Sequence, residues 1–191
     1  MSLSLVTSPA AEPLSTAQAK AHLHIDGTDE DTYIDLLISA AREFAETFTR
    51  RAFITQTWDL FLDAFPTDAE VIGVPLPRLQ SVTTLKYSDS DGTQQTWAAS
   101  NYDVDIKQEP GRIALAFDKA WPDTREVMNA VEIRFLAGYG SSGTDLPQQV
   151  NHAMKILVSH WYENRELVIV GKTISEVPDS ARSLLWTVRA F

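Results

Sequence analysis

The 191-residue chain contains no cysteine. Disulfides, thiolate nucleophiles and cysteine-ligated zinc are therefore excluded, and the composition suits a reducing cytoplasm or a particle assembled in one. Long apolar runs are also lacking. No segment is apolar over the length a bilayer span requires, and Met1 to Leu14 has neither the basic start nor the apolar stretch of a signal peptide, so the sequence reads as soluble with no membrane partner. Positive charge is scarce: 16 Lys and Arg face 26 Asp and Glu, for a formal net charge of −10. The imbalance is uneven, with 11 basic against 22 acidic residues in 1–145 and 5 against 4 in 146–191. Broad contact with phosphate backbones draws its affinity from Lys and Arg releasing counterions, so this balance opposes direct nucleic-acid binding. It is compatible with a negative wall that DNA passes without sticking.

Signatures of catalysis are missing as well. The sequence has no Gly-x-Ser-x-Gly elbow, Walker motif or His-Glu-x-x-His. His22 and His24 lie two apart and would face different sides of a helix, while His152 and His160 have no carboxylate at ligand spacing, so all four read as surface or interface residues. Asp89-Ser-Asp-Gly92 opens like a calcium loop but lacks the later glutamate, and reads as a turn. No catalytic, cofactor-binding or metal-binding residue is assigned.

What is present is organised as helices at both ends with β structure between them. Ser15 and Gln18 form a capping box that predicts a short helix to about Ile25. Thr28-Asp29-Glu30-Asp31 offers a second box, followed by Ile34, Leu37, Ile38, Ala41, Phe44, Ala45 and Phe48 at helical spacing. The opposite face carries Asp35, Arg42, Glu43, Glu46 and Arg50 and reads as solvated. From Ile54 the pattern becomes short alternating runs bounded by Pro and Gly clusters. Strands are predicted at 55–62, 70–74, 81–87, 93–98, 102–106, 112–115 and 130–137, forming a mostly antiparallel lobe. Trp97 and Trp121 read as its packing aromatics. A cap at Asp145 to Gln148 predicts a helix with Val150, Ala153, Met154, Leu157, Val158 and Trp161 on its apolar stripe. Residues 167–170 could be extended, 171–177 read as an arm, and Pro178-Asp179 starts a last short helix. Length and composition fit one compact α+β unit, divided as N-terminal helices 14–52, β lobe 53–138, and C-terminal helices with a docking tail 145–191.

Between the predicted strand 130–137 and the following helix lies Gly138-Tyr-Gly-Ser-Ser-Gly143. As a bare pattern it matches the G-x-G-x-x-G of dinucleotide-binding enzymes, and a nucleotide-binding enzyme is the alternative reading of this chain. Against it, the helix start at Asp145 lies beyond the last glycine, where its dipole would miss a phosphate, and Asp145 would repel one.

Several segments taken together resemble the head-tail connector (adaptor) proteins of tailed bacteriophages and their prophage counterparts. They are Ile54-Thr-Gln-Thr-Trp58, Val74-Pro-Leu-Pro-Arg-Leu-Gln-Ser-Val-Thr83, Tyr102-Asp-Val-Asp105 with Pro110-Gly-Arg-Ile113, Ala130 to Gly140, and His160-Trp-Tyr-Glu-Asn-Arg165. The resemblance implies a small helical bundle enlarged by the β lobe, and a structural virion protein without cofactor, made in the bacterial host cytoplasm. It implies a ring of about a dozen copies beneath the portal, which extends the DNA channel and offers a platform to a tail or stopper protein. Another neck or tail component is the near alternative. The C-terminal segment would dock on the portal, which suits the dense apolar load of Leu184, Leu185, Trp186 and Phe191 beside Arg182 and Arg189. The competing expectation is that this end packs back on its own bundle. Asp29, Glu30, Asp31 and Asp35 are the candidate channel-facing acids.

Overall fold

The computed structural model describes residues 1–67, 71–165 and 177–190. The α+β class and the antiparallel β region match the sequence reading. The chain forms two compact units: Met1–Ala10 with Thr55–Tyr139 and Ala190, and Ala11–Ile54 with Gly140–Arg189.

The second unit is helical, built from α1 (Thr16–Leu23), α2 (Asp31–Thr49), α3 (Gln148–Glu163) and α4 (Asp179–Trp186). The Ser15–Gln18 box caps α1 as its sequence requires. Along α2 the helical spacing places Ile34, Leu37, Ile38, Ala41 and Ala45 in the core. On α3 it does the same for Val150, Ala153, Met154, Leu157 and Val158. Burying each Ile, Leu or Met side chain contributes about 1.5–3 kcal/mol, so these facing stripes hold the bundle together.

Three local expectations are corrected. The box at Thr28 does not form: the Asp31 N–H donates to the Thr28 carbonyl rather than to its hydroxyl and the Asp31 carboxylate is taken by Lys20, so α2 starts after Glu30 with no side-chain cap. The next helix starts at Gln148 rather than Asp145, because Asp145 is taken into a 3-10 turn, Gly143–Asp145, where its carboxylate accepts the Ser142 N–H at 3.0 Å. The polar face of α2 is not uniformly solvated either. Arg42 is only 9% exposed and donates to Glu12 at 2.8 Å and Glu46 at 2.9 Å. Burial opposes its charge, but the two carboxylates outweigh that and push the guanidinium pKa above its ordinary value.

The first unit is β. Its strands are β1 (Ser2–Thr7), β2 (Gln56–Leu62), β3 (Ile72–Val74), β4 (Leu79–Ser88), β5 (Gln94–Trp97), β6 (Tyr102–Asp105), β7 (Gly111–Leu115) and β8 (Val131–Ala137). They make a five-stranded sheet in the order β1-β2-β8-β4-β5 and a three-stranded sheet in the order β3-β7-β6, with every pairing between these strands antiparallel. Of the strand predicted at 70–74, Ile72–Val74 is seen and Glu70 lies outside the described residues. The N-terminal strand β1 was not expected.

Strict alternation along β8 buries Val131, Ile133, Phe135 and Ala137 on one face. On the other face, Arg134 meets Asp59 directly across the β2 ladder in a two-pronged ion pair at 2.8 Å. Trp97 and Trp121 do pack the lobe: Trp121 stacks on Phe65 at 4.9 Å and lies 4.9 Å from Trp97, which stacks on Tyr102 at 5.7 Å. The Asp89 turn forms as read, with the carboxylate accepting the N–H groups of Asp91 and Thr93 and with Gly92 at φ 87°.

Arg42→Met removes the cation that the carboxylates of Glu12, Glu43 and Glu46 share. We expect the unfolding free energy to drop by roughly 1.5–3 kcal/mol in denaturant titration; an unchanged midpoint would show that the cluster contributes nothing.

Candidate interaction surfaces

The four acids singled out in the sequence lie at the start of α2, and three of them are committed to partners inside the helical unit. Asp31 pairs with Lys20 at 2.6 Å, and Asp35 accepts from the Thr16 hydroxyl at 2.5 Å. Glu30 accepts from the Tyr162 hydroxyl and from Arg165 Nη2, the latter at 2.5 Å. Asp29 is exposed. Only part of the cluster is therefore the solvated negative patch that composition alone suggests.

Around Glu30 the chain builds a latch that sequence reading missed. The Arg165 guanidinium lies 4.6 Å from the Tyr33 ring centre and 4.9 Å from that of Tyr162, so one cation is held by two aromatic faces and a carboxylate. The Tyr162 hydroxyl, then Arg165, hold the Glu30 carboxyl below its ordinary value of 4.5. Glu30 in turn pushes the Tyr162 phenol above its ordinary value. The partners lie 132 and 135 residues from Glu30 along the chain, a separation at which no local pattern connects them.

The C-terminal residues divide by face. Leu185 is fully buried in the bundle with Ala181, Leu184 is half-buried, and Arg182 and Trp186 are exposed, Trp186 at 53%. Trp186 meets the Phe48 ring edge-on at 6.2 Å, and Arg189 lies 4.9 Å from the Trp186 ring centre and 5.5 Å from that of Phe48. Phe48 stacks on Phe44, which meets Trp161. The result is a file of half-buried aromatics from α3 across α2 to α4, ending in an exposed Trp beside Arg189. Phe191, the possible extended stretch 167–170 and all of the predicted arm 171–177 except Val177, which is buried, lie outside the described residues.

The glycine loop is explained by packing. β8 precedes it but runs antiparallel to both of its neighbours, whereas a dinucleotide fold needs parallel strands. A Cβ on Gly140 would lie 2.2 Å from the Asp145 carboxylate, and one on Gly143 would lie 1.8 Å from the Pro13 carbonyl oxygen. Gly138 adopts φ 138°. The turn is thus closed by a carboxylate and a neighbouring backbone, and its own negative charge stands where a phosphate would have to come. Among the described residues no group of His, Cys, Asp or Glu could hold a metal ion, and no helix is long and apolar enough to cross a membrane.

Two measurements check this geometry. Gly143→Ala forces a side chain against fixed backbone and should lower stability by about 1–3 kcal/mol in thermal or denaturant unfolding; a neutral effect would refute the close approach. For the latch, the Glu30 pKa is depressed by folding. Its contribution is therefore complete above 4.5 and is lost as pH falls through the depressed folded value. Glu30→Gln should flatten stability against pH in that acidic window and return the Tyr162 phenolate, followed by ultraviolet titration, toward lower pH. If neither changes, the latch is absent in solution.

With this geometry in hand, comparison with known proteins identifies relatives. No curated protein sequence matches the chain. Among solved structures, a chain in the neck of an empty gene transfer agent particle, computed with C6 symmetry, superposes with a TM-score of 0.81 at 24% identity, covering 100% of this chain and 96% of that one. Chains in the virion of the native gene transfer agent particle and in its neck, computed with C12 symmetry, give TM-scores of 0.79 and 0.73 at the same identity and coverage. These likenesses show a shared fold. The profile of the head completion protein family matches residues 13–185, spanning both ends of the helical unit and the β strands between them. The chain belongs to the head completion protein family.

Proposed function

We propose that this protein is a structural, non-enzymatic subunit of the head-tail junction of a phage-like particle. Its copies close into a ring beneath the portal, extend the DNA channel and give a tail or stopper protein a platform. The observation that carries this reading is the family match over 13–185; the fold shared with neck chains of particles solved with C6 and C12 symmetry supports the ring. The subunit is made in the host cytoplasm and works in the virion.

The portal-docking surface in this reading is the outward side of α4: Arg182, Leu184, Trp186 and Arg189, with Phe191 following. Leu185 supports it from within, since it is buried in the bundle. An exposed Trp flanked by Arg residues has the chemistry of an interface anchor, because a large flat apolar surface and a planar cation both gain from being desolvated together. The wall facing DNA is acidic and includes Asp29, Glu30, Asp31 and Asp35. An excess of carboxylates there lets DNA leave without the counterion release that would hold it.

Capture on immobilised portal protein tests the docking. Trp186→Ala should weaken binding at least tenfold when compared at equal concentrations of folded protein, since it also loses the Phe48 contact, and Arg182→Glu should weaken it and reduce its salt dependence while keeping the wild-type unfolding midpoint. Wild-type affinity in both would remove α4 from the interface.

A further inference from the structure

Strand β1 is anomalous. All six of its residues are exposed, including Leu3, Leu5 and Val6 at 38–44%. It sits at the edge of the five-stranded sheet, yet carries no charge and no proline to blunt that edge. Its attachment is the backbone ladder to β2, from Ser2↔Phe61 to Thr7↔Thr57 with a register shift before Thr7. A strand with no fully buried side chain is held chiefly by its ladder hydrogen bonds, the part of a fold most easily made elsewhere with equal geometry.

Its tether fits the same reading. Beyond β1 the chain crosses from one unit to the other at Ala10 and Ala11. It is fixed again at Glu12, which binds Ser39 and Arg42, and at Pro13, which is buried. The four residues between, Ser8-Pro-Ala-Ala11, can span roughly 13–14 Å when extended. The surface known to fit β1, residue by residue, is the β2 edge, and every copy of the chain has one.

We propose that β1 is an exchange arm: in the assembled oligomer it leaves its own β2 and pairs, in the same register, with β2 of a neighbouring copy. Each subunit then gives one strand and receives one, a head-to-tail contact that closes without a strand left over when the rotation forms a ring. This rests on the ring reading above and specifies how the ring is stapled.

The absence of cysteine makes the test clean. Thr7 and Thr57 are register partners, so a Thr7→Cys, Thr57→Cys double variant reports which β2 the arm occupies. Purified protein is oxidised across a concentration series, with the portal added at the highest point, and run on denaturing gels without reductant; light scattering gives the oligomer size in parallel. Exchange predicts covalent multimers in the oligomer. It also predicts a disulfide between differently tagged Thr7→Cys and Thr57→Cys chains that were co-expressed.

Deleting residues 1–7 should leave a folded monomer, judged by its circular dichroism and unfolding midpoint, with at least tenfold weaker self-association. Rings that run as covalent monomers would overturn the exchange and leave the ring intact. Covalent monomers with no oligomer under any condition, portal included, would overturn both.

Discussion

The strand Val131–Ala137 is the element on which the β unit depends. It is paired on both edges, to β2 and to β4, and its inward residues are completely buried. Its ladder hydrogen bonds and its alternation therefore fix the register of two further strands, since a slip by one residue would turn Val131, Ile133 and Phe135 to the wrong face. Directly after it the chain enters the glycine turn and then α3, whose apolar stripe is central to the helical unit. One stretch of about thirty residues thus supplies a principal element of each unit. That stretch therefore has to combine a two-sided strand, a turn without side-chain bulk and an amphipathic helix. Its resemblance to a nucleotide-binding pattern follows from those same demands, because tight strand-to-helix turns need glycine whatever they are for.

Most of the architecture was legible because burial left a period in the sequence. The stripe of α2, the alternation of β8, the Ser15 cap and the Asp89 turn each express a local rule, and each is found. What was missed is equally physical. All six residues of strand β1 stay exposed, so no buried-and-exposed alternation marks it. Arg42 looked like a surface residue because the helical period assigns a face but cannot see Glu12 arriving from the preceding segment. The Glu30 latch joins residues more than 130 positions apart, and the expected cap at Thr28 fails because Asp31 pairs with Lys20 from the preceding helix.

The candidate site was legible in part. The helical end with Leu184, Leu185 and Trp186 formed as a short amphipathic helix, and its outward and inward halves separate only in three dimensions: Leu185 serves the bundle while Trp186 remains half in solvent. Packing back on its own bundle therefore applies to Leu185, while Trp186 on the same helix stays partly exposed. Among the acids, composition gave the sign of the region but not which carboxylates are already paired with Lys20 and Arg165 or hydrogen-bonded by Thr16. The structure thus presents an exposed Trp, arginines and a strand edge at its surface, with carboxylates used for internal pairing.

Native mass spectrometry of the full chain across a concentration series, with and without mixed ATP and NAD, tests the central claim most directly. The account predicts closed rings, formed alone or on added portal protein, with no nucleotide mass attached. A monomer that carries bound nucleotide and does not assemble even on the portal would contradict it.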